Sequence, residues 1–208
     1  MAKYITEFIG TFFLVLSISL AVTTGGVLAP LAIGAALMVM VYMGGHVSGA
    51  HYNPAVTVAV FMRGAMPASD IAPYMGAQVA GGIVAALLGG FITGSPVALA
   101  PSPDYSIVAV LLVEILYTFA LAMVVLNVAT VNKDGVSGNS YYGLAIGFTI
   151  VAAAVAGGGI SGGAYNPAVG IGLTLAGGTL ANVWIYILGP VIGGALGAVV
   201  FGIQNPDQ

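Results

Sequence analysis

Residues 31–56 and 144–169 of this chain align without a gap at a constant offset of 113 and share 13 identities in 26 positions. The shared pieces are Leu-Ala-Ile-Gly, Gly-Gly, Ser-Gly and, closing each copy, Tyr-Asn-Pro-Ala-Val at 52–56 and 165–169. A chain that repeats itself over such a length was built by doubling a unit, so its fold must hold two equivalent halves. A second matched pair agrees: Glu7-x-x-x-Thr11-Phe12-x-Leu14 recurs as Glu114-x-x-x-Thr118-Phe119-x-Leu121. The apolar stretch behind Lys3 therefore has a counterpart deep in the chain, and it is expected to belong to the mature fold and not to a cleaved signal.

The solvent for these halves follows from charge. Only 4% of the 208 residues are charged and 60% are hydrophobic, whereas a soluble domain carries about 25% charged residues. Most of the surface must therefore face lipid. Six stretches, near 4–23, 30–48, 70–93, 105–131, 140–157 and 179–203, are long enough to cross about 30 Å of hydrocarbon as helices. Turn residues separate them: Thr-Thr-Gly-Gly at 23–26, Met-Pro-Ala-Ser-Asp at 66–70, Gly-Ser-Pro at 94–96 and Asn-Lys-Asp-Gly at 132–135. No polar linker divides the chain, so residues 1–208 are expected to form one transmembrane body with halves at about 1–96 and 104–208. The chain has no cysteine, which excludes disulfides and thiolate metal sites. Three basic side chains give nucleic acid nothing to bind.

Lys3, Arg63 and Lys133 fall on one side of a six-span layout, and the positive-inside rule makes that side the cytoplasm, with both termini inside. Each half has three spans, an odd number, so equivalent positions face opposite sides of the membrane. The expected fold class is thus an all-α membrane protein with an inverted 3+3 repeat, a plan used by membrane transport proteins. After each Asn-Pro comes a short apolar piece, 54–63 and 167–176. Ten helical residues reach about 15 Å, half a bilayer. Proline suits the first helical position and asparagine the cap before it. Each piece is therefore expected to be a re-entrant half-helix, the two meeting tip to tip near the midplane. The glycine-rich runs before them, 44–51 and 157–164, are expected to be non-helical, which at membrane depth requires burial in protein or a water-filled cavity.

Two inverted Asn-Pro-Ala boxes in six spans, with Gly-His-x-Ser-Gly-Ala-His before the first, resemble the aquaporin (major intrinsic protein) family. The resemblance covers essentially the whole chain and includes Gln78 and Gly189-Pro190. It implies a passive channel, a homotetramer with one pore per subunit, and no cofactor, metal or covalent chemistry. The pore midplane is then lined by Asn53, Pro54 and Ala55 with Asn166, Pro167 and Ala168. The asparagine oxygens can cap the half-helices, leaving the amide NH2 groups as donors to the lumen.

Glu7 and Glu114 are ionisable groups inside spans, where function is the default hypothesis. As a proton relay they would make a coupled transporter; the resemblance implies instead that they accept N–H groups from the loops leading to the half-helices. His46 and His51 lack acidic or cysteine partners at ligand spacing, and their repeat equivalents are Gly159 and Ala164. Both are expected to anchor the first loop. Stripes at Ala77, Gly81, Ala85, Gly89 and at Gly189, Gly193, Gly197 indicate close helix packing, and Trp184 is placed near the membrane interface.

Water-selective members of the family narrow the outer mouth with an aromatic residue, a histidine and an arginine. Counting from the boxes puts Ile33, Ala154, Gly163 and Val169 at the filter positions. Losing the arginine removes a fixed charge and several donors. A wider, neutral mouth should admit ammonia, urea, hydrogen peroxide or small polyols beside water. Val169-Gly170 and the short loops also depart from the glycerol-facilitator branch, which usually has Arg-Asp there. Three alternatives remain open at this point: a channel mainly for a neutral solute other than water, a cation-coupled transporter, and a junction protein that barely conducts.

Overall fold

The structure, a computed structural model, describes residues 1–132, 136 and 138–208. Lys133 and most of the turn expected at 132–135 lie outside the described residues. Among the described residues eight α-helices follow one another: α1 (Ala2–Thr24), α2 (Ala29–Ser48), α3 (Pro54–Met62), α4 (Ile71–Thr93), α5 (Ile107–Ala129), α6 (Tyr142–Ser161), α7 (Pro167–Ala176) and α8 (Val183–Gln204). Six of these elements are long and apolar enough to span a bilayer. The short ones, α3 and α7, start at the two Asn-Pro sites as expected. No strand occurs among the described residues.

The halves are inverted. Lys3 at the start of α1 pairs with Asp70, and Asp70 lines the same opening as Thr130 at the end of α5. The first helix of one half thus begins on the face where the first helix of the other half ends. The C-terminal residues share that face, since Asn132 donates to Gln208 and Asn205 to Asn127.

Within each half the first long helix packs on the third, α1 on α4 and α5 on α8, and α2 packs on α6 between halves. The small-residue stripes serve the first of these contacts. Gly81 lies against the Phe8 carbonyl, and its equivalent Gly193 against the Ile115 carbonyl. One residue further on, Gly82 meets the Ala168 carbonyl and Gly194 the Ala55 carbonyl. Each half-helix therefore beds on the third long helix of the opposite half, and any Cβ at 82 or 194 would collide with backbone.

One expectation needs correction. The runs at 44–51 and 157–164 are mostly helical, because α2 continues to Ser48 and α6 to Ser161. Glycine propensity is overridden by packing: Gly44 makes room for the Tyr52 ring and Gly157 for Tyr165. The irregular backbone shrinks to residues 49–53 and 162–166. Trp184 sits on the outward side of the first turn of α8, 43% exposed.

The Gly194→Val substitution forces Cβ against the backbone carbonyl of Ala55. It should cost about 1–3 kcal/mol or more, read as a lower midpoint of SDS-induced unfolding in mixed micelles. The same change at Gly202, which has nothing within 4 Å of its added Cβ, should leave that midpoint in place.

Candidate functional site

The two irregular loops are built to the same plan. Positions 49, 50 and 52, and their equivalents 162, 163 and 165, all have positive φ. Glycine meets that demand at 49, 162 and 163, whereas Ala50, Tyr52 and Tyr165 adopt it at φ 51°, 50° and 49°. A left-handed residue that is not glycine costs about 1–2 kcal/mol, so something must hold it there.

The buried carboxylates do so. Glu7 Oε1 accepts from Ser48 Oγ (2.7 Å) and His51 N (3.0 Å), while Oε2 accepts from Tyr52 N (2.7 Å) and Gln78 Nε2 (2.7 Å). In the second half, Glu114 Oε1 accepts from Ser161 Oγ (2.7 Å) and Ala164 N (3.0 Å), and Oε2 from Tyr165 N (2.7 Å). Both carboxylates are fully buried. The amides of His51, Tyr52, Ala164 and Tyr165, which leave helix geometry, are thus satisfied without water, as a buried backbone requires. The tyrosine rings lock the other end, with Tyr52 donating to the Met40 carbonyl (2.9 Å) and Tyr165 to the Ala153 carbonyl (3.0 Å).

With the tyrosine N–H turned to the carboxylate, its carbonyl points to the opposite half. Asn53 Nδ2 donates to the Tyr165 carbonyl (2.9 Å) and Asn166 Nδ2 to the Tyr52 carbonyl (2.8 Å). Their Oδ1 atoms cap the half-helices, accepting from Ala55 N and Ala168 N at 2.9 Å each. An amide nitrogen carries two hydrogens. One is engaged across the junction, so the sequence-based picture of a free NH2 is refined to a single remaining donor per asparagine. Pro54, Ala55, Pro167 and Ala168 are buried behind these caps.

Both asparagines line a cavity of about 260 Å³. Its remaining side chains are apolar apart from His51 and Tyr52, and it contains all four positions read from the sequence as the outer filter: Ile33, Ala154, Gly163 and Val169. A second opening, on the Lys3 face, is bounded by Ser48, Asp70 and Thr130 among others. Arg63 stands near it, donating from Nε to Thr130 Oγ1 and from Nη2 to the Thr130 carbonyl, both at 2.9 Å.

The two histidines part company. His51 is buried in the first loop, with Nδ1 3.1 Å from Thr57 Oγ1 and its ring tilted on Tyr74. His46 is exposed and, among the described residues, has no hydrogen-bond partner. Because α2 continues to Ser48, residue 46 stays on the outer side of a helical turn. The expectation that His46 anchors the loop is therefore corrected. Sequence reasoning also passed over the carbonyls of Tyr52 and Tyr165 and the bedding glycines 82 and 194. Their signal was present, since tyrosine opens both copies of the shared pentapeptide and Gly82 and Gly194 stand beside the stripes.

The model of the family described as "Major intrinsic protein" matches residues 1–201. The chain belongs to the major intrinsic protein family. Among its relatives, aquaporin NIP1-1 of Zea mays is 37% identical over 97% of this chain and 74% of its own length. Glycerol uptake facilitator protein-like 6 of Lactiplantibacillus plantarum is 39% identical over the full length of both chains. The aquaglyceroporin of Plasmodium falciparum shares the fold, with a TM-score of 0.82 at 22% identity over 96% of this chain and 94% of that one. Members of this family are passive channels for water, small solutes or both and not enzymes, and this chain is one of these channels.

Truncating Glu114 to Ala strands the donors of Ser161, Ala164 and Tyr165. Each buried donor without a partner costs about 1–3 kcal/mol, so Glu114→Ala should lose several kcal/mol of stability in micelle unfolding. Glu114→Gln keeps an acceptor and should lose less. Equal losses would mean the carboxylate does not hold the loop.

Proposed function

We propose that this chain is a passive channel that conducts water in single file together with small neutral solutes, and that it excludes protons and other ions. The observation that carries the reading is the reciprocal pair of asparagine-to-tyrosine bonds, which sets two helix N-termini against each other at the wall of one cavity. Each N-terminus contributes about half a positive charge. A water at this level turns its oxygen toward the remaining asparagine donors, so the hydrogens on its two sides point away in opposite directions. A proton cannot hop through a file that reverses there, and cations are repelled by the same positive ends.

Ile33, Ala154, Gly163 and Val169 serve in this reading as the outer filter. None carries a charge or a side-chain hydrogen-bonding group. Solutes such as ammonia, urea, hydrogen peroxide or small polyols would then meet neither a fixed cation nor a bulky ring. The name of the Lactiplantibacillus plantarum relative, a glycerol uptake facilitator-like protein, supports solutes beyond water. The same apolar lining favours a second reading in which a neutral solute, and not water, is the main cargo.

Glu7, Glu114 and His51 hold the loops and carry no protons across the membrane. Residues 1–208 act as one body within a homotetramer, one pore per subunit, in the cell membrane. The face bearing Lys3 and Arg63 is cytoplasmic, with both termini inside.

Proteoliposome swelling in sucrose, urea and glycerol gradients tests the assignment. Water permeability should exceed that of protein-free vesicles, and Val169→Arg should reduce urea entry while water flow persists. Water flow equal to bare vesicles would transfer the assignment to the neutral solute. An unchanged urea-to-water ratio in Val169→Arg would remove Val169 from the filter.

A further inference from the structure

We infer that the neck that most limits which solutes pass is formed by His51 and Val125, on the Lys3 side of the asparagines, inside the outer filter of Ile33, Ala154, Gly163 and Val169. The inference rests on the channel reading above.

The four outer positions all lie within one undivided cavity of about 260 Å³. That cavity runs past Asn53 and Asn166 and reaches His51, Leu121 and Val125. The opening on the Lys3 face, about 360 Å³, approaches the same place from the other side. Among the described residues, only His51 and Val125 border both spaces. The two spaces therefore meet between the first re-entrant loop and α5, whereas Ile33, Ala154, Gly163 and Val169 all border a single space.

A polar brace fixes one wall of this neck. Thr57 Oγ1 accepts from Gln78 Nε2 (3.0 Å), lies 3.2 Å from the Asn53 carbonyl and stands 3.1 Å from His51 Nδ1. Gln78 Nε2 in turn donates to Glu7. The other ring nitrogen, Nε2, has no hydrogen-bond partner among the described residues. The ring is also held from its side by Tyr74, at 5.1 Å between centroids.

The brace exists in one half only. At the repeat offsets, His51, Thr57 and Gln78 correspond to Ala164, Gly170 and Pro190, none of which has a polar side chain. The glutamate, serine, tyrosine and asparagine bonds of the two loops repeat in both halves, and the brace departs from that symmetry at the place where the two spaces meet. The neck pairs one polar ring nitrogen with one aliphatic wall. A small hydrogen-bonding solute such as water or ammonia is suited to it, and broader solutes such as urea and glycerol are limited by its width.

Proteoliposomes of the wild type, Val125→Ala, His51→Ala and Ile33→Ala, assayed for water, urea and glycerol permeability, test this. Val125→Ala and His51→Ala should raise the urea-to-water and glycerol-to-water ratios several-fold, and Ile33→Ala should raise them less. A larger rise for Ile33→Ala than for Val125→Ala overturns the inference, as does an unchanged ratio in a Val125→Ala protein that conducts water. Val125 makes no polar contact, so its variant carries the test even where His51→Ala does not fold. A wild type no more permeable than bare vesicles to any of the three molecules overturns the channel reading and the neck together, an outcome distinct from a conducting wild type with the wrong ranking.

Discussion

Two hydrogen bonds join the halves of this protein at its centre, from Asn53 to the Tyr165 carbonyl and from Asn166 to the Tyr52 carbonyl. They exist because each tyrosine is held in a left-handed conformation that turns its N–H to a buried carboxylate and its carbonyl to the other half. The carboxylates can be buried because backbone and hydroxyl donors satisfy them. Removing any one of these groups exposes the strain or orphans the charge of another. This mutual dependence accounts for glutamates buried in lipid-spanning helices.

The frame was legible because it was written twice. Asn-Pro twice, each followed by about half a bilayer of apolar residues, allows few structures other than opposed half-helices, and α3 and α7 begin at the expected prolines. Glu7 and Glu114 were legible as loop anchors because each heads a half and irregular backbone at that depth needs acceptors. The filter positions could be counted from the boxes, and all four fall on one cavity wall.

What escaped the sequence was decided by tertiary contact. The glycine runs before the boxes look like helix breakers, yet Gly44 and Gly157 are small because tyrosine rings pack on them, and the helices continue. That continuation carried His46 to the outside while His51, five residues on, turned inward. The bedding of α3 and α7 on the opposite half depends on Gly82 and Gly194, which no helical period singles out, since each neighbours a glycine facing a different helix. The Gln78–Thr57–His51 brace likewise needs coordinates, because sequence spacing alone does not bring α4 to the first loop.

The central claim is that this junction lets water through and stops protons. The most direct measurement records both fluxes on the same vesicles: osmotic water permeability by light scattering, and proton entry by a trapped pH-sensitive dye under a pH gradient. The account predicts water flow above that of protein-free vesicles with proton flux indistinguishable from them. Proton flux that rises in proportion to the protein reconstituted would contradict it.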